Sequence, residues 1–113
     1  MTVKLIKIVA ATMLTNTSAA YGSSVGTGVT QVVKRAVFSN TSGSSVTITV
    51  NIVPQGGAVS TTNQIINART LQAGESYVSP ELAGLELITG DQVYAQASVI
   101  SAINMTISGI QVS

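Results

Sequence analysis

The sequence predicts an all-β fold: an antiparallel β-sandwich of seven to eight short strands, with jelly-roll or immunoglobulin-like connections. Three observations predict it. Runs of β-branched residues recur between Val32 and Val112, each closed by a polar turn. In the clearest run, Val46-Thr47-Ile48-Thr49-Val50-Asn51-Ile52-Val53, alternation sets Val46, Ile48, Val50 and Ile52 on a dry face. Thr47, Thr49 and Asn51 fall on the wet one. No segment carries a convincing long helix.

Thr2 to Leu14 reads as a strand or an extended arm. Val3, Leu5, Ile6, Ile8 and Val9 supply apolar contacts without clean alternation, while Ala10, Ala11, Met13 and Leu14 are compatible with a helix. Thr15 to Thr30 is small and polar, with Gly22-Ser23-Ser24 and Gly26-Thr27-Gly28, and reads as a loop long enough to be functional or disordered. Residues 1–28 are thus an N-terminal arm or strand with a Gly/Ser-rich loop, and 29–113 the sandwich. Val29 to Phe38 is the next strand, closed by Asn40-Thr41-Ser42-Gly43, residues suited to side-chain-bonded turns. Val46 to Val53 stops at Pro54-Gln55-Gly56-Gly57, where proline removes a ladder donor. Gln64 to Leu71 is a weaker strand, and Ala73-Gly74-Glu75 turns into Ser76 to Ser79. Pro80 to Gly84 fits a single helical turn. Leu85 to Ile88 precedes the turn Thr89-Gly90-Asp91. In Gln92 to Val99, the residues Val93, Ala95, Ala97 and Val99 share one side. Ile103, Met105, Ile107, Ile110 and Val112 form the last strand.

Composition narrows the function. Only 8% of the residues are charged, against about 25% in an ordinary soluble domain. The surface is therefore Ser, Thr, Asn, Gln and Gly, which repels neighbours weakly and suits a subunit packed among others. Lys4, Lys7, Lys34, Arg35 and Arg69 are spread along the chain, and the aromatics are only Tyr21, Phe38, Tyr77 and Tyr94. Nucleic-acid binding needs clustered cations, with aromatics to stack on bases, so none is expected. No apolar run reaches the ~20 residues that span a bilayer, so no membrane partner is expected either. Lys4, Lys7, Ile8 to Leu14 and Ser18-Ala19-Ala20 form a weak signal-peptide pattern. Thr12 interrupts its apolar part, and retention is the expectation. Asn16-Thr17-Ser18, Asn40-Thr41-Ser42 and Asn104-Met105-Thr106 match the glycosylation triplet, as chance allows in so Asn- and Thr-rich a chain.

The chain has no histidine and no cysteine, which removes the usual general base, the thiol nucleophile and the commonest metal ligands. No serine sits in a nucleophile-elbow pattern. Gly26-Thr27-Gly28 lacks the lysine of a phosphate loop and reads as a flexible turn. Glu75 and Asp91 follow turn glycines, Glu81 follows a proline, and Glu86 fits a solvent-facing strand position. No catalytic, cofactor-binding or metal-binding residues are expected, and no cofactor.

Four segments carry a resemblance. They are Lys34-Arg35-Ala36-Val37-Phe38-Ser39-Asn40-Thr41 leading into Val46 to Val53, then Leu71-Gln72-Ala73-Gly74-Glu75-Ser76, then Gly90-Asp91-Gln92-Val93-Tyr94-Ala95-Gln96-Ala97-Ser98, and Ile107-Ser108-Gly109. In that order they resemble small virion proteins of tailed bacteriophages, over the last two-thirds of the chain. The resemblance implies a β-rich subunit of a capsid decoration, head fibre, neck or tail, and carries no catalytic motif. Thr2 to Thr30 lies outside it.

The sequence thus leads to the expectation of a non-enzymatic homo-oligomer in a virion, a capsid decoration (cement) subunit whose partners are itself and the major capsid protein or other virion proteins. Subunit contacts are expected at Val3, Leu5, Ile6, Ile8, Tyr21 and Gly26, on the arm and the glycine-rich loop. The alternative is a neck or tail-fibre module binding host surface glycans, with Tyr21, Tyr77 or Tyr94 stacking on a sugar. A small hydrolase, the third reading, requires two converging carboxylates.

Overall fold

A computed structural model describes residues 2–113 and forms them into nine strands. These are β1 (Val3–Met13), β2 (Ala19–Tyr21), β3 (Thr30–Asn40), β4 (Val46–Val53), β5 (Gln64–Leu71), β6 (Ser76–Val78), β7 (Glu86–Leu87), β8 (Gln92–Ala97) and β9 (Ile103–Val112). Sheet A has the order β1-β9-β3-β6, with β7 also on β3; sheet B has the order β2-β8-β4-β5. Every pairing is antiparallel.

The all-β sandwich expectation holds, and the topology chooses between its two variants. The chain changes sheet at nearly every connection; only β4–β5 and β6–β7 stay within one sheet. An immunoglobulin sandwich keeps its A–B, D–E and F–G strand pairs within one sheet, whereas this wrapping is that of a jelly roll.

Period-2 alternation drives the packing. β9 buries Ile103, Met105 and Ile107 and exposes the residues between them more; β8 buries Val93, Ala95 and Ala97. Phe38 and Val33 of β3 complete the inner face of sheet A, opposite Ile48, Val50, Ile66 and Leu71 of sheet B. The alanines of β8 sit beside Ile48 and Val50 in the ladder, so small and large residues share the available volume. Each fully buried Leu, Ile or Phe contributes about 1.5–3 kcal/mol.

Several expectations change. Of the forms expected for Thr2–Leu14, the strand is the one taken: Val3–Met13 is built into sheet A, because β9 supplies a ladder for it. Within the expected Thr15–Thr30 loop, Ala19–Tyr21 pairs with β8. Pro80–Gly84 is a turn rather than a helical turn, whereas Thr61–Asn63 forms a 3-10 turn capped by Ser60. Val99 leaves the strand and is 44% exposed, since β8 ends at Ala97. Asn51, which alternation sets on the wet face, is buried. Its face of β4 is covered by the segment after Pro54: its Nδ2 donates to Ser60 O at 2.9 Å and Asn63 Oδ1 at 2.8 Å. Asn40 is buried as well. Its amide donates to Ser44 O (2.8 Å) and Leu71 O (3.0 Å), so the glycosylation triplet there has its nitrogen spent on the turn.

One side of the sandwich is closed by a polar latch. Ala68 adopts a left-handed φ of 47°, and its N–H is satisfied by Thr49 Oγ1 at 3.1 Å. The resulting bulge puts Arg69, rather than Ala68, opposite the core residue Ile48. From there the Arg69 guanidinium stacks on Tyr77 of β6 with Cζ 3.9 Å from the ring centroid, joining the edge of sheet B to the edge of sheet A. The Tyr77 hydroxyl donates to Glu81, whose carboxylate also accepts from Ser79 Oγ at 3.0 Å. The Tyr77 hydrogen bond is the largest influence holding the Glu81 carboxyl below its ordinary value; Ser79 and Arg69 act in the same direction, against desolvation. Burial, aided by the Glu81 carboxylate, pushes Tyr77 above its ordinary value.

A lowered folded pKa means that Glu81 stabilises the fold above its unfolded value of 4.5, and that this stabilisation is lost as pH falls through the lower folded value. The melting temperature of Glu81→Gln should therefore lie below that of the wild type at neutral pH, with the gap shrinking in acid; a gap independent of pH excludes the charged latch. At Gly109, an added Cβ would lie 2.0 Å from the Val32 carbonyl oxygen, whereas at Gly43 it would meet nothing within 4 Å. Gly109→Ala should cost about 1–3 kcal/mol in denaturant unfolding, and Gly43→Ala less than about 0.5 kcal/mol.

Candidate subunit interface

β1 is an edge strand, and its outer half is unpaired. Thr2 and Ser113 exchange reciprocal backbone hydrogen bonds of 2.7 and 2.9 Å. By antiparallel alternation, Lys4 and Ile6 also face β9, so the N–H and C=O groups of Val3, Leu5 and Lys7 point away from the sheet. Further along, the chain crosses over itself. Gly22, at φ 72°, passes so close that a Cβ there would lie 2.5 Å from the Ile8 carbonyl oxygen. This crossing and the bulge after Lys7 confine the regular open edge to Val3–Lys7.

The side chains of this stretch separate by face. Ile6, Gly109 and Val33 lie side by side across β1, β9 and β3 on the inner face. The next row, Leu5, Ile110 and Val32, faces outward, as do Val3 and Val112. Leu5 is 85% exposed and Val3 56%, while Ile110, Val112 and Val32 are half-buried by their neighbours. An apolar patch therefore lies along an edge that still has hydrogen-bonding capacity. Lys4 and Lys7 flank Leu5, a pattern that discourages indiscriminate edge pairing. On the same outer face, Val78 of β6 is exposed beside Val37.

The expected contact residues fall into different environments. Val3 and Leu5 are exposed on the open edge, Ile6 is half-buried against the core, and Ile8 is in the core. Tyr21 is half-buried, and its hydroxyl accepts from Thr15 N at 3.0 Å. Gly26 is exposed, and its carbonyl accepts from Val29 N (3.2 Å) and Thr89 Oγ1 (3.1 Å), tying the loop to the turn before β8. The structure thus brings Val3 and Leu5 into one patch; Ile8 takes no part in it. Reading the sequence missed Val32, Ile110 and Val112. Their alternation gives the strand, but only the β1-β9-β3 pairing makes them neighbours of Leu5.

Chemistry of other kinds finds little support. No concave pocket opens among the described residues, and their Asp and Glu side chains form no group of three or more that could hold a metal ion. Tyr77, a candidate sugar platform, is 8% exposed with its face under Arg69; Tyr94 is half-buried.

No protein-family model and no curated protein matches this chain. Solved structures do. The chain is similar to a structure of Bacillus endospore appendages, described as a novel family of disulfide-linked pili. Identity is 12% and the TM-score 0.54, covering 99% of this chain and 88% of that one. It is also similar to the infectious bursal disease virus Gt strain (12% identity, TM-score 0.49, 96% of this chain and 32% of that one). For the T13 particle of that virus the figures are 13%, 0.49, 97% and 30%. The chain spans about a third of those viral chains. At these identities the pilus likeness bears on the fold alone, and the pilus linkage has no counterpart in a sequence without cysteine.

Proposed function

We propose that this protein is a non-catalytic building block of a bacteriophage particle, a capsid decoration subunit that reinforces the particle through subunit contacts. The observation that carries the reading is the exposed row of Leu5, Ile110 and Val32 beside the unpaired stretch of β1. Such an edge combines backbone hydrogen bonding with apolar burial, the two components of strand-addition recognition. Burial contributes about 25 cal/mol per Å², so even a small patch matters when a lattice repeats it many times. The sparse charge leaves little repulsion to overcome, and the jelly-roll architecture is one that capsid domains use.

A module binding host glycans, the alternative, would present aromatic rings in a shallow groove. Tyr77 is buried beneath Arg69, and Tyr21 uses its hydroxyl within the fold, so no observation favours that reading.

Light scattering of the purified protein, with and without empty capsids, tests the proposal. The wild type is expected to form oligomers and to add mass to capsids. Leu5→Asp, at an exposed position where stability should change by less than about 0.5 kcal/mol, is expected to weaken that binding at least about tenfold. A wild type that ignores capsids, or a Leu5→Asp variant that binds them undiminished, excludes this role for the edge.

A further inference from the structure

We infer that copies of this chain join head to tail in the plane of sheet A, the open edge of β1 in one copy pairing with the β7 edge of the next. The inference rests on the assembly reading above and adds the partner, the strand pair and the register.

Charge points to it first. Lys4 and Lys7 lie on β1, whereas all four carboxylates of the chain, Glu75, Glu81, Glu86 and Asp91, fall in the segment that forms β6, β7 and their turns. Those strands lie on the far side of β3 from β1. Lys34 and Arg35 of β3, and Arg69 over Tyr77 beside Glu81, offset part of their charge. The β1 edge thus carries two cations and no carboxylate, while four carboxylates against three cations lie on and beside the other margin. A two-fold contact between two β1 edges would gather the lysines of both copies at one seam without a carboxylate, which opposes pairing. A basic edge against an acidic one has the opposite sign.

Strand direction agrees. β1 is antiparallel to β9, β9 to β3, and β3 to β7, so β1 and β7 run in opposite directions. Copies set side by side in the same orientation therefore meet as antiparallel strands, without either being turned over.

The side chains supply a register. Glu86 is paired with Val32, which places it on the outer face with Ile110 and Leu5. Val33 N donates to Leu85 O at 2.9 Å, so Leu85 and Leu87 address β3, and the backbone of Glu86 points outward as that of Lys7 does. Setting Lys7 against Glu86 of the next copy brings Leu5 against Ile88, two residues along the same face. The N–H and carbonyl of Ile88 are both taken by Asp91 at 2.9 Å, so Glu86 supplies the backbone hydrogen bonds of the contact and Ile88 meets Leu5 through its side chain. Leu5 is 85% exposed and Ile88 54% exposed, so the charged pair is flanked by an apolar one. The flat part of β1 ends at the bulge after Lys7, level with the Pro80–Gly84 turn that interrupts the acidic edge. Because the two surfaces differ, the contact repeats, giving a ring or a filament.

Charge exchange tests the inference, with self-association followed by sedimentation velocity over a concentration series without capsids. Lys7→Glu and Glu86→Lys, both at exposed positions, are each expected to weaken association about tenfold while leaving circular dichroism and melting temperature unchanged. Mixing the two single variants, or combining them in one chain, is expected to restore the wild-type mass. A two-fold β1 seam predicts no dependence on Glu86. The contact is overturned if the wild type stays monomeric, if either single variant associates like the wild type, or if neither mixing nor combination restores mass. Capsid binding measured on the same samples separates the two readings. Binding without the charge-exchange pattern overturns the contact and keeps the virion role. The charge-exchange pattern without binding supports the contact and removes decoration.

Discussion

The insertion of β9 between β1 and β3 is the constraint on which the rest of the structure depends. It pairs Val3 with Val112 and Thr30 with Val112, so the ends of three distant segments meet in a single row. Only then do Ile103, Met105 and Ile107 face Phe38's side of the core and close it against sheet B. Such pairings are non-local, and their loop-closure entropy must be met before burial repays it, a topology that folds slowly for its size. Gly109 shows how tightly the insertion is made, since the Val32 carbonyl occupies the space a side chain would need.

The same insertion creates the surface. By occupying one side of β1, β9 leaves the other side of Val3–Lys7 without a strand, and it carries Ile110 and Val112 into the outer apolar row. The opposite margin is handled differently. β6 and β7 are short, a turn containing Pro80 separates them, and Arg69, Tyr77 and Glu81 knit the neighbouring sheets together. Short, interrupted edges resist accidental pairing, and lysines beside a longer open edge discourage it there. The two margins of one sheet thus differ in length, charge and closure.

Much of the fold was legible in the sequence where the signal is local. Val46–Val53 and Gln64–Leu71 appear with the expected bounds, because alternation and flanking turn residues fix them without reference to any neighbour. Misjudged positions share a cause. Asn51 is buried by a segment beyond the next turn, Val99 lies past the point where its ladder stops, and Ala19–Tyr21 is a strand only because β8 offers hydrogen bonds. Tyr77 was open to a binding role in the sequence and is a latch residue in the structure, through a bulge at Ala68 that no residue type announces. Of the expected contact residues, Leu5 and Val3 reach the patch and Ile8 does not, since strand alternation puts Ile8 on the inward face with Ile6.

By itself, then, the sequence determined the class of element and the poverty of chemistry: β-branched alternation makes strands, Asn, Gly and Pro make turns, and a chain without His or Cys has few nucleophiles, bases or metal ligands. Tertiary structure alone decided the jelly-roll order, the edge left open, and the placing of Lys4 and Lys7 on the margin of sheet A opposite the one that carries the carboxylates. The physical reason is that alternation specifies two faces of a strand but neither of its two hydrogen-bonding sides. Which side finds a partner depends on residues far away in the chain, and along Val3–Lys7 the outer side of β1 pairs with no strand among the described residues.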